Sequence, residues 1–157
     1  MNIINSIGKI EFIDIQNAIS DALDFDYSNI EIGNINVNNA KGDCLDFSFG
    51  NYSINESVLN NCRDKAISVG ETSKLKGKNI NISNANFGIA SKDNSIANIK
   101  TLNNKKVKYC LAAYNKKKEF SGGKINIIKM SCDNYQQQTF LDEISEIKIG
   151  ENRLIND

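Results

Sequence analysis

Carboxylates recur in this chain at one fixed interval. Asp21, Asp24 and Asp26 are followed 22 residues later by Asp43, Asp46 and Ser48. If each set lies on a strand, Leu23 and Phe25 share one face while Asp24 and Asp26 share the other. Coils stacked at about 4.8 Å then place Asp24 beside Asp46, with Asp21 beside Asp43. Like charges that close raise each other's pKa unless a cation compensates. Four oxygen-bearing side chains on one face, Asp21, Asp24, Asp43 and Asp46, are therefore candidate ligands for Ca2+, which favours several oxygens. Asp24, Asp26 and Asp46 are also candidates for an acid/base pair in glycoside chemistry. The simpler expectation is structural. An Asp at a strand entrance caps local N–H groups, and outward Asp keeps a sheet face soluble.

Other residue types narrow the chemistry. The 157 residues include no His, Pro or Trp. Without His there is no Ser-His or Cys-His nucleophile pair, and the commonest general base is missing. Cys44, Cys62, Cys110 and Cys132 form no CxxC pair, so zinc is not expected. Cys44 and Cys110 hold equivalent repeat positions three coils apart, about 14 Å, too far for a disulfide. The expectation is four buried free thiols. Lys116, Lys117 and Lys118 read as a solvated loop. Nucleic-acid binding would want interleaved aromatics, and only Tyr114 and Phe120 flank the run. The first residues lack a basic region followed by a long apolar run, so no signal peptide is expected there, and no stretch is long enough to span a membrane.

The formal net charge of zero is unevenly distributed. Residues 1–64 carry Lys9, Lys41 and Arg63 against ten acidic residues, a balance of −7, and residues 65–157 carry 16 basic against 9 acidic, +7. Along a solenoid, sequence order is spatial order, so one end should be acidic and the rest basic.

The elements that must position these residues follow from the repeat. Equivalent hexads begin at positions 21, 43, 65, 87 and 109, each step being 22. Self-similarity at such a period means a solenoid. Leu23, Leu45, Ile67, Ile89 and Leu111 form one apolar column, with Phe25, Phe47, Val69, Ser91 and Ala113 beside it. Ile10, Ile32 and Ile54 form another, as do Ile15, Val37 and Leu59. Asn17, Asn39 and Asn61 continue as Asn84 and Asn104, a column expected to bond from coil to coil. Between Ile82 and Leu102 the interval shortens to 20, a difference assigned to loops. Residues 105–108, 115–123 and 134–138 read as turns or excursions, and 144–149 as a last strand. The expectation is a single all-β domain over 1–157, about six coils of 22 residues, regular over about 9–130 and irregular over 131–157.

The series Asp21–Asp26, Gly42–Phe47, Asp64–Glu71, Gly88–Asp93 and Leu111–Phe120 resembles the right-handed parallel β-helix of the pectate-lyase-like superfamily. More narrowly it resembles β-helical segments of bacterial surface and spore-coat-kinase-type proteins. That resemblance implies a place at the cell surface or outside the cell. The superfamily spans polysaccharide lyases, glycoside hydrolases, epimerases and non-enzymatic stalks or adhesive modules. For the lyases it implies a Ca2+ face and a basic residue for β-elimination, and Lys65 and Lys92 are the bases near enough. Because this chain is short and has no His, the expected function is a non-catalytic module, structural or glycan-binding, that requires no cofactor. A polysaccharide-active enzyme using Asp24, Asp26 and Asp46 is the alternative, and a cytosolic assembly scaffold the second. A stack of coils also exposes core and strand edges at its ends. Residues 1–8 are too short to seal the amino end, so another copy of the chain or an upstream domain is expected to cover it.

Overall fold

The apolar columns decide how each coil closes. In a computed structural model that describes residues 1–154, the chain winds as β1 (Asn2–Ile4), β2 (Ile7–Ala18), β3 (Leu23–Asp26), β4 (Asn29–Ala40), β5 (Leu45–Ser48), β6 (Asn51–Gly70), β7 (Lys74–Lys92), β8 (Ile96–Tyr114), β9 (Lys124–Asp133), β10 (Gln137–Leu141), β11 (Glu146–Ile149) and β12 (Asn152–Leu154). No helix occurs among the described residues. The pairing is parallel throughout except for β12, which folds back antiparallel on β11. The result is a β-solenoid of roughly seven turns rather than six. The extra turn comes from the ends, because Asn2–Ile4 pairs with Asp24–Asp26 as a rung of its own and β11 continues the stack past β9.

Each coil consists of short paired runs. Between β4 and β6, residues 29–32 and 34–38 pair, while Gly33 and Asn39 stand at unpaired corners. Side-chain alternation breaks at the same places: Ile30 and Ile32 point inward, then Ile35 and Val37, then Ala40. At Gly33 a Cβ would lie 2.5 Å from the Glu11 carbonyl oxygen, so a side chain there would force this coil's backbone to shift, although Glu11 and Asn55 hold the same corner in the neighbouring coils. At the other corner Asn17, Asn39, Asn61 and Asn84 all have φ between 56 and 68°. Asn tolerates that left-handed backbone better than most residues. Its amide then bonds along the stack: Asn39 Nδ2 donates to Asn17 Oδ1 at 2.8 Å, and Asn84 Nδ2 to Asn61 Oδ1 at 2.7 Å. Further ladders join Asn51 to Asn29, Asn103 to Asn81 and Asn126 to Asn98.

Asn61 Nδ2 donates to Asn38 rather than Asn39, at 3.1 Å, and the last expected rung is wrong. Lys106, not Asn104, takes the next corner, at φ 55°. Asn104 points inward, is buried, and donates to the Cys110 carbonyl at 3.0 Å. It fits there because Gly88 has no side chain; a Cβ at 88 would lie 2.6 Å from Asn104 Nδ2. This polar residue in a core column also hid the register. Leu102 pairs with Ile80 and Asn104 with Ile82, so the interval is 22, not 20. The true departures are elsewhere. Glu71 and Thr72, both left-handed, replace the single corner residue Phe49, which stretches the step to 23 from Asn51 to Lys74, and a bulge between Cys62 and Lys65 restores it. Residues 115–123 lengthen the next step to 28. Residues 105–108 are strand with one corner residue rather than a turn, and Gln137 begins β10.

The core runs the length of the stack. Leu23, Leu45, Ile67, Ile89 and Leu111 are all fully buried, as are Phe25, Phe47 and Val69. Phe25 and Phe47 stack with centroids 5.3 Å apart, and Tyr52 packs against both. The Tyr52 hydroxyl donates to the Ser48 carbonyl at 2.8 Å, which satisfies its buried polar end. A serine column supports the corner before each second run: Ser28, Ser73 and Ser145 Oγ accept the amides of Ser6, Gly50 and Gly123 one coil below.

The cysteines correct the free-thiol expectation. Cys44 is bonded to Cys62 and Cys110 to Cys132, with Cα–Cα distances of 5.3 and 6.3 Å. Cys44 and Cys110 are indeed not joined to each other. Equivalent positions lie far apart, but the turn after each Asn corner folds one column against another, so Cys62 reaches Cys44 across the inside of the stack. Each bridge contributes about 2–4 kcal/mol by restricting the unfolded chain.

Candidate site on the outer carboxylate face

The outward faces of β3, β5 and the last runs of β6, β7 and β8 form one surface. Register aligns Asp24, Asp46, Ser68, Ala90, Ala112 and Phe140 in one column. Two residues on, Asp26, Ser48 and Gly70 form a second column, and Lys92 pairs with Tyr114 in the coils beyond. The expected phase is therefore correct. The two Asp are half-buried rather than freely exposed, however, and Ser68, Ala90 and Ala112 are fully buried although they face outward. Lys92, only 5 % exposed, lies across Gly70; a Cβ there would meet Lys92 Cε at 2.8 Å.

At the strand entrance the carboxylates serve the backbone of the next coil. Asp21 Oδ1 accepts the Asp43 amide at 2.7 Å, and Asp43 Oδ1 accepts the Lys65 amide at 2.9 Å. Lys65 Nζ lies 3.5 Å from Asp43 Oδ1 and donates closely to Asp64. The candidate ligand set Asp21, Asp24, Asp43 and Asp46 thus divides between a backbone ladder and the outward column. Among the described residues, no three His, Cys, Asp or Glu side chains gather as a group able to hold a metal ion.

The outward column is electrostatically loaded. Burial, then the charges of Asp26, Asp46 and Asp21, push Asp24 up to about 6. Burial also pushes Asp43 up to about 6 despite the opposing Lys65. Asp26 rises through burial and the charges of Asp46 and Glu71. For Lys65, burial favours the neutral form, but the hydrogen bond to Asp64 and the charges of Asp43 and Asp64 prevail and hold it protonated. Asp46 Oδ1 and Ser68 Oγ, neighbours in the column, are buried and have no hydrogen-bond partner among the described residues.

Aromatic side chains flank both ends of this surface. Tyr27 and Phe49 stack at 4.6 Å where β3 and β5 exit, and Phe120 meets Phe49 edge-on. Phe87 and Tyr109 stack at 4.8 Å at the entrance of the later coils, and Phe140 touches both Tyr109 and Tyr114. The loop 115–121 forms one wall. The Lys116 and Lys117 amides both donate to Asp93 Oδ1 at 2.7 Å, and Lys117 Nζ pairs with Glu71 at 2.7 Å. Burial would raise Glu71, but hydrogen bonds from Lys117 and Ser48, with the charges of Lys92 and Lys117, hold it below the usual carboxylate range.

The sequence-derived candidates Asp24, Asp26, Asp46, Lys65 and Lys92 all belong to this surface. Sequence reasoning did not nominate Ser68, Glu71, Lys117, Tyr114 or the aromatic flanks as site residues. Glu71 enters through a one-residue insertion and Lys117 through a long loop, and neither carries a repeat signal. The columns of Tyr27 with Phe49 and Phe87 with Tyr109, each 22 apart, were legible. No protein-family model, curated protein or solved structure matches this chain.

Proposed function

We propose that this β-solenoid is a non-catalytic, glycan-binding module of a bacterial surface or exported protein, with the carboxylate face as its binding surface. One observation carries the reading. The half-exposed carboxylates Asp24, Asp26 and Asp46 line a surface bounded by aromatic stacks. Sugar hydroxyls donate well to carboxylate oxygens. Aromatic rings offer flat apolar faces to the C–H side of a sugar ring. Two disulfides support an oxidising compartment over a cytosolic scaffold.

A second reading, polysaccharide cleavage, is favoured by Asp24, a carboxyl that keeps its proton up to about pH 6 beside Asp46. Lys65 does not support it, because its ion pairs hold it protonated and a protonated amine is no base. A glycan array combined with a turnover screen on neutral and acidic polysaccharides separates the two. Binding without turnover, lost in Asp46→Ala, is the expected result. Turnover that disappears in Asp24→Asn would replace the first reading with the second, and the absence of both binding and turnover would remove both.

A further inference from the structure

The first coil differs from the next two coils on its outer surface. Ile4 pairs with Asp26, Ile7 with Asn29 and Phe12 with Asn34, and Asn29 and Asn34 pair in turn with Asn51 and Glu56. Positions that are polar in the next two coils are thus apolar in the first. Ile4, Ile7 and Phe12 are 57, 86 and 59 % exposed. The same coil leaves its inward residues Ile3, Ile10 and Ile15 only partly covered. The edges of β1 and β2 that face away from the stack are unpaired among the described residues. An open edge with apolar side chains on both faces is a template for another strand.

We propose that this edge pairs with the same edge of a second copy, head to head about a two-fold axis. Three observations select that occupant. First, β2 is self-complementary when run antiparallel so that paired positions sum to 23. Ile10 then meets Ile13 of the partner subunit, and Gly8 meets Ile15 of the partner subunit, all in inward columns. Lys9 meets Asp14 of the partner subunit in outward columns, which pairs opposite charges twice across the axis. The axis falls at Glu11 and Phe12, where the coil turns, and it sets β1 against its own copy around Ile3. Second, head-to-tail stacking is obstructed, because β12 lies antiparallel on β11 at the carboxyl end with Leu154 opposite Ile147. Third, the two ends offer each other no charge complementarity. Residues 1–22 hold Glu11, Asp14 and Asp21 against Lys9, and residues 134–154 hold Asp142, Glu143, Glu146 and Glu151 against Lys148 and Arg153. Both ends are acidic, −2 each, so head-to-tail stacking gains nothing from net charge, whereas the head-to-head register matches Lys9 with Asp14 residue by residue. An isologous contact of this kind closes as a dimer and does not propagate.

A charge-exchange experiment by light scattering and sedimentation tests this. The full chain is expected at twice 17.4 kDa at high micromolar concentration. Lys9→Glu alone sets Glu against Asp14, and Asp14→Lys alone sets Lys against Lys9, so each should weaken the dimer about tenfold or more. An equimolar mixture of the two variants pairs opposite charges again at both positions and should recover the dimer, which a merely misfolded variant could not do. Ile7→Lys/Phe12→Lys should be a monomer with an unchanged circular dichroism spectrum. A wild-type chain that stays monomeric, one that forms open-ended oligomers, or a mixture that fails to recover would each overturn the proposal.

Discussion

The early and late coils share one backbone and differ in chemistry. Inward, Leu45 and Leu111 occupy the same column and are equally buried. Outward, the corresponding column changes from Asp24 and Asp46 to Ala90 and Ala112. The comparison teaches that inward columns and corners carry the stack, while the outer surface is free to vary from coil to coil. Outward, the half-buried early positions carry Asp, while the late positions are covered and carry only small Ala; the close-packed interior tolerates few side chains anywhere along the stack. The same division explains why Asn104 stands out: it is polar in an inward column, and it needs both Gly88 and the Cys110 carbonyl to be accommodated.

The largest expected effect breaks the shared part. Leu45→Ala should cost about 2–5 kcal/mol in denaturant unfolding, since it leaves a cavity in the middle of the stack. Asp46→Ala, one residue away but outward, should cost far less, and equal costs would contradict the division. Removing one staple, Cys44→Ser/Cys62→Ser, should lower stability by about 2–4 kcal/mol. Mass spectrometry of the native chain after alkylation should find no free thiol.

A pH series sharpens the contrast between the two ends of the face. Asp24 and Asp43 have folded pKa values raised to about 6 from 3.8. Such groups contribute stability that is complete below pH 4 and is lost as pH rises through about 6. Glu71 is lowered, so its contribution is present above its unfolded value and is lost only as pH falls. Melting at pH 5 should therefore occur above melting at pH 7.5, by an amount on the order of 1 kcal/mol once solvent screening of Asp24 is allowed for. Asp24→Asn should flatten the slope. A profile that rises from pH 5 to 7.5 would contradict the burial of these carboxyls.

The smallest effect is at Ser68. Its hydroxyl has no partner, and the same column holds Ala90 and Ala112, so Ser68→Ala should be neutral or slightly stabilising in thermal melts.

By itself, the sequence determined the all-β solenoid, the 22-residue register, the inward columns and the shared face of Asp24, Asp26 and Asp46. These depend on translation along one axis, so equal spacing in sequence becomes equal position in space. It also determined the Asn corner as far as Asn84, because a left-handed turn favours that residue. Only the tertiary structure decided which different columns meet. The Cys44–Cys62 and Cys110–Cys132 bridges, the contact of Lys117 with Glu71 and the fit of Asn104 beside Gly88 all join positions unrelated by the repeat. A period specifies neighbours along the stack. It carries no information about how tightly a corner folds across the interior or where an inserted loop comes to rest, and those depend on the packing of the whole coil.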